Sequence, residues 1–219
     1  MRRFLHNLIR LRGKPSADRQ LTLFAEQTDR VLEEPTAPPS PPPRPASSAV
    51  TKQPTTAQQR YDALVVEMKD RYGLRVRKWR SNTTGCAWAV TYTDGSRSRL
   101  IEAPYPKGPV SAAVFLHEVG HHAIGLGAVR PRCLEEYRAW QWSLLQMEAH
   151  GIDVTSRLKK RVVESLHYAV SKAARRGLKR LPVELAGFVD RHAIGTPGHI
   201  DALIDGLMSN ARTVPSLVG

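Results

Sequence analysis

Ala113-Val114-Phe115-Leu116-His117-Glu118-Val119-Gly120-His121-His122-Ala123-Ile124 is an apolar run that carries two imidazoles and a carboxylate in H-E-x-x-H spacing. On a helix, residues four apart share a face, so His117 and His121 can reach one metal ion. Glu118, one step round the helix, then lies beside the ion's open position, where it can take a proton from water. That is the minimum machinery of a zinc hydrolase. The flanks support a helix: Pro109 suits a first turn, Ser111 is the expected N-cap, and Gly125 and Gly127 stop it. The competing reading is a histidine pair without a metal, and each ring would then need buried hydrogen-bond partners.

A tetrahedral catalytic zinc needs a third protein ligand. The stretch from Cys133 after Pro131 to His150-Gly151 is predicted as a second helix, and either Glu135 or Glu136 in it can complete a His-His-Glu set. Glu136 is preferred, because Ala139 and Trp140 beside it are small and aromatic, as expected where two helices approach closely. Both glutamates also suit a helix's first turn for dipole reasons alone. Cys133 is a rival ligand, although thiolates more often mark closed structural sites. His122 points about 100° away from the metal face, as a solvated or supporting residue. For a donor to a developing oxyanion, the candidates are Tyr137, Arg138 and His167.

Outward from this pair of helices the chain reads as α+β. Thr56–Tyr72 has Tyr61, Leu64, Val65, Met68 and Tyr72 on one helical face, with Gly73 as a stop. Leu74–Arg80 reads as a strand exposed on one side, Cys86–Thr93 as a second and Ser98–Ala103 as a third. Asp94-Gly95 is a hairpin signal. The expected architecture is a small α+β layer domain, with a three-stranded antiparallel meander packed on the metal-binding helices. After it, Ser156–Gly177 is predicted as a helix with Leu158, Val162, Leu166, Ala169, Val170 and Ala173 as its apolar stripe.

Four segments follow from composition. Residues 1–32 form a basic and amphipathic N-terminal segment. Residues 33–56 are a proline-rich linker expected to be disordered, since they cannot offset ordering by burial. Residues 57–180 are the catalytic domain, and residues 181–219 are a tail with weak helical signals around 182–191 and 200–208. The basic start, Met1–Lys14, lacks the apolar core of a secretory signal; a transit peptide, a membrane-surface helix and a nucleic-acid-docking helix all fit it. Gln20-Leu21-Thr22-Leu23-Phe24 resembles the short peptides that bind the bacterial sliding clamp, and equally fits an amphipathic helix.

The formal net charge is +13, which makes a polyanionic partner worth considering. Arg157, Lys160, Arg161, Lys172, Arg175 and Arg176 on the Ser156–Gly177 helix can follow a phosphate backbone, or form a merely solvated face. This would be nonspecific nucleic-acid binding, for no sequence-reading motif accompanies it. Cys86 and Cys133 are too few for a disulfide scaffold and suggest free thiols. With no transmembrane span in sight, a cytoplasmic location is expected.

The patterns F-L-H-E-V-G-H-H and L-E-E-Y-R-A-W-Q-W (residues 115–122 and 134–142) resemble compact zincins of bacteria, phages and mobile elements. The nearest group is the ImmA/IrrE-like metallopeptidases, with ArdC-type anti-restriction proteins a more distant likeness. The resemblance covers about residues 58–180. It implies Zn2+ held by His117, His121 and Glu136, with Glu118 as general base in hydrolysis of a peptide bond in a protein or peptide substrate. It also implies that a substrate backbone pairs with an edge strand, which sequence order places around Arg97–Ala103. A DNA-associated protein is one candidate substrate. The alternative is a non-catalytic nucleic-acid- or protein-binding module of a mobile element, with a structural metal.

Overall fold

Capping chemistry sets the first helix. In the computed structural model, which describes residues 56–190 and 195–213, α1 (Ala57–Arg71) begins at Thr56. Its hydroxyl accepts from the Gln59 N–H, and the Gln59 side chain accepts from the Thr56 N–H in return. Leu64, Val65 and Met68 form the buried side of α1. The basic N-terminal segment, the clamp-like Gln20–Phe24 and all of the proline-rich linker but Thr56 lie outside the described residues.

Three strands follow: β1 (Leu74–Arg80), β2 (Cys86–Thr91) and β3 (Arg97–Pro104). The expected α+β class holds, and the antiparallel meander does not. The order is β1-β3-β2; β2 and β3 form the Asp94-Gly95 hairpin, while β1 pairs with β3 in parallel. Burial rather than composition marks β3 as the central strand. Ile101 and Ala103 are wholly buried, whereas β2, though almost entirely apolar, has no buried residue and β1 has only Leu74. The register between β1 and β3 slips between Val76 and Lys78. That bulge explains why the apolar positions fall at Leu74, Val76 and then Trp79, which packs on Tyr105 and Phe115.

Because β1 and β2 are not neighbours, residues 81–85 must arch over the C-terminal end of β3. Arg80 pins this arch. Its guanidinium bonds Glu102 on β3 and the Thr84 hydroxyl at 2.9 Å. The arch therefore ends at the place where β3 hands the chain to α2 (Pro109–Ala123).

α2 packs between the sheet and α3 (Arg132–Ala149). Its N-cap is Gly108 rather than Ser111. Ser111 sits a turn in, and its hydroxyl accepts from the N–H groups of Lys107 and Gly108. α4 (Ser156–Arg175) buries Leu158, Val162, Val163, Leu166 and Val170. Residues beyond 180 are not a detached tail where they are described. A 3-10 segment (Val183–Phe188) and α5 (Pro197–Arg212) bury Leu185, Phe188, Ile204, Leu207 and Ala211 in the same core as α3 and α4. Gln141, fully buried on α3, donates its side-chain amide to the Leu207 carbonyl at 2.9 Å.

Candidate metal centre

Two helices furnish the cluster. α2 sets His117 and His121 one turn apart with ring centroids 4.7 Å apart, and α3 brings Glu136 against them. Nε2 of His117 lies 3.2 Å from Oε2 of Glu136, and Nε2 of His121 lies 3.6 Å from the same oxygen. The three ligand atoms are all within 4.8 Å of one another. Donors held about 2.0–2.1 Å from one tetrahedral centre stand about 3.3–3.4 Å apart, close to the two separations from Glu136 Oε2. Gly120 permits the close approach. A Cβ there would stand 3.0 Å from the Ala139 carbonyl and 3.1 Å from the Trp142 ring.

The cluster is braced from behind. Glu135 does not join the ligand atoms; its Oε1 lies 3.0 Å from Nδ1 of His121, which turns Nε2 toward the site. This is the carboxylate–histidine pairing that orients a metal-binding imidazole. Arg132, which sequence reasoning passed over, donates to Glu135 Oε1 at 2.9 Å and to Glu136 Oε1 at 3.0 Å. It thereby leaves the other Glu136 oxygen facing the histidines. Its spacing of three and four residues from the two glutamates was the available signal. His117 is held by stacking: the Trp140 ring lies 4.2 Å away and 24° from parallel. Its Nδ1 is buried without a partner.

Proton affinities follow from this packing. Burial lowers His117 to about 4, so its imidazole is neutral and one ring nitrogen has a lone pair to offer. Burial also pulls down on His121, but hydrogen bonds with Glu135 and Glu136 more than offset it and hold the ring up at about 9. Against its own burial, Glu136 is held well below the usual carboxylate range by His117 and His121. Glu118 is raised to about 7, chiefly by burial.

Glu118 is positioned by the arch as well as by α2. A Cβ on Gly85 would overlap the Glu118 carboxyl, with its Cδ only 2.6 Å away. Gly85 thus leaves room for that side chain at the start of β2. Glu118, His117 and Glu136 open together on a cleft of about 560 Å³. The arch forms one wall, and α4 forms the other through Arg161, Ser165, Tyr168, Lys172 and Arg176.

No family model, curated protein or solved structure matches this chain.

Several expectations change on that geometry. His122 is not solvated: it is buried, and its Nε2–H donates to the Leu100 carbonyl at 3.1 Å, tying α2 to the sheet. Cys133 lines the cleft but stands outside the ligand group, and both cysteines are free thiols. None of Tyr137, Arg138 and His167 lines the cleft. Tyr137 is buried with its hydroxyl accepting from Asn210, Arg138 pairs with Glu184, and His167 bonds the Phe188 carbonyl. β3 is central, so the strand edge nearest the site belongs to β2. The six basic residues of α4 divide: Arg161, Lys172 and Arg176 line the cleft, while Arg157, Lys160 and Arg175 do not. No described helix is long and apolar enough to cross a membrane.

Proposed function

We propose that this chain is a zinc-dependent metallopeptidase, in which His117, His121 and Glu136 hold the ion and Glu118 handles the proton. The observation that carries this is the convergence of two Nε2 atoms and one carboxylate oxygen beside a separate buried carboxyl that opens on the same cleft. Three protein ligands leave a fourth position for substrate or water, which a closed structural site would not. Zinc supplies Lewis acidity at that position, acidifying water and polarising a carbonyl.

The chain's own residues do the rest. The Glu118 carboxylate accepts a proton from water and returns it to the leaving amide nitrogen, a role suited to a carboxyl raised to about 7. Gly85 and the arch keep that carboxylate at the mouth of the cleft. Arg132 and Glu135 keep the ligand atoms pointed inward. The exposed edge of β2, which starts beside Glu118, offers backbone groups for pairing with an extended peptide.

The test combines zinc content with hydrolysis of a peptide library. Wild type is expected to hold one equivalent of zinc and to cleave. Glu118→Gln is expected to keep the zinc and lose cleavage by about 10²–10⁴-fold; His117→Ala is expected to lose both. Wild-type protein with stoichiometric zinc that cleaves nothing would refute the catalytic reading and favour a structural metal.

A further inference from the structure

The α4 wall of the cleft carries charge that the hydrolytic reading leaves unused. Arg161, Lys172 and Arg176 line it, and none of them is salt-bridged among the described residues, whereas the neighbouring Lys159 and Lys160 pair with Asp201 and Glu164. The carboxylates on the cleft lining are Glu118 and Glu136, and Glu136 is already committed to His117, His121 and Arg132. Arg161 is fixed in place: its guanidinium donates to the Thr83 carbonyl at 3.0 Å, which clips the arch to α4, and its Nε is buried without a partner. Arg161 thus presents a half-buried guanidinium beside the arch, and Lys172 and Arg176, about three and four turns further along the helix, add two cations without carboxylate partners among the described residues, a row of receptors for successive anions.

We propose that the cleft selects polypeptides with acidic side chains close to the scissile bond, their carboxylates received by Arg161, Lys172 and Arg176. This rests on the peptidase reading and adds its substrate class. A nucleic-acid strand would present anions too, but single-strand grooves also need aromatic faces on which bases stack. Here the Lys172 ammonium lies 5.7 Å over the Tyr168 ring, and Trp140 is stacked on His117. An extended peptide needs only the β2 edge and the cations opposite it.

The experiment uses the full-length, zinc-loaded Glu118→Gln protein, so that binding is read without turnover. Its probes are a short fluorescein-labelled peptide alternating glutamate and alanine, the same peptide with glutamine for glutamate, and a labelled oligothymidylate. The acidic peptide is expected to bind at least about tenfold tighter than its glutamine counterpart, given the usual strength of charge-assisted hydrogen bonds. Lys172→Glu/Arg176→Glu, at two exposed positions, is expected to abolish that ratio with unchanged zinc content and circular dichroism. Lys69→Glu/Lys78→Glu, the same change in net charge away from the cleft, is expected to preserve it. Three outcomes would overturn the proposal: equal or no binding of the two peptides, the same loss in both double variants, or tighter binding of the oligonucleotide. Charge-selective binding by a wild type that cleaves no peptide would defeat only the peptidase reading. Cleavage without any preference for acidic sequences would defeat only this inference.

Discussion

Single residues around the cluster have separable jobs, and substitution should reveal them. Glu135 holds Nδ1 of His121 rather than the ion, so Glu135→Ala should weaken zinc binding by roughly 10–100-fold without abolishing it, as loss of such orienting partners does. Glu136→Ala, which removes a proposed ligand, should cost far more. Chelator competition distinguishes the two; equal losses would contradict these roles. Proton competition gives a second prediction. His121, held up at about 9, must shed its proton before Nε2 can bind a cation. Apparent zinc affinity should therefore rise with pH throughout the range below about 9, by up to about tenfold per pH unit for one displaced proton. A flat profile across neutrality would mean that His121 is already neutral. Gly85 acts on the neighbouring carboxyl, so Gly85→Ala should lower turnover while zinc content stays at one equivalent.

Elements are joined by contacts that set helix spacing. The α2–α3 contact runs through Gly120 against Ala139 and through Ser143, whose hydroxyl donates to the Ala113 carbonyl at 2.8 Å. Gly120→Val should overpack this seam and cost about 1–3 kcal/mol, with zinc affinity falling because His117, His121 and Glu136 lie on the two helices being forced apart. Urea midpoints and zinc titration check both halves. On the other side, Asp62 of α1 accepts from the Tyr105 hydroxyl and the Gln58 amide, both at 2.7 Å, which ties α1 to the loop before α2. These bonds, the Gln58 one foremost, hold the Asp62 carboxyl below its usual value. Their contribution is thus present above the ordinary aspartate range and disappears as pH falls through the lower folded value. Asp62→Ala should lower the urea midpoint near neutrality and have a smaller effect once the carboxyl is protonated in both states.

For the whole molecule, the C-terminal helix is part of the foundation of the site. Removing residues beyond 180 would leave the Gln141 amide without the Leu207 carbonyl and expose the core beneath Leu207 and Ala211. Such a truncated chain should lose cooperative unfolding and zinc binding together, since α3, which carries Glu136, would lose one of the three helices packed against it. Saturating zinc should also stabilise the intact protein: at a hundred times the dissociation constant the gain is about 2.7 kcal/mol. That corresponds to a rise of roughly 5–10 °C in melting temperature for a chain of this size. An unmoved melting curve would argue against a native site for the ion.

The helices, the strands and the identity of the two histidines were legible from local pattern, because periodicity and capping act over a few residues. His117 and His121 had to share a face wherever the helix packed, and Thr56, Pro109 and Gly125 marked the helix ends closely. Less legible were the choices that depend on distant partners, where sequence could state a preference, as for Glu136, but not its physical cause. Glu135 and Glu136 are adjacent on one helix, and only the rotation of α3 against α2, allowed by Gly120 and locked by Arg132, decides which faces the cluster. Likewise the strand order β1-β3-β2 depends on which strand buries its C-terminal half against the helices, and the arch that this order forces is clipped to α4 by Arg161. Chain-local forces wrote the elements; the competition for buried space between elements far apart in sequence assembled the site.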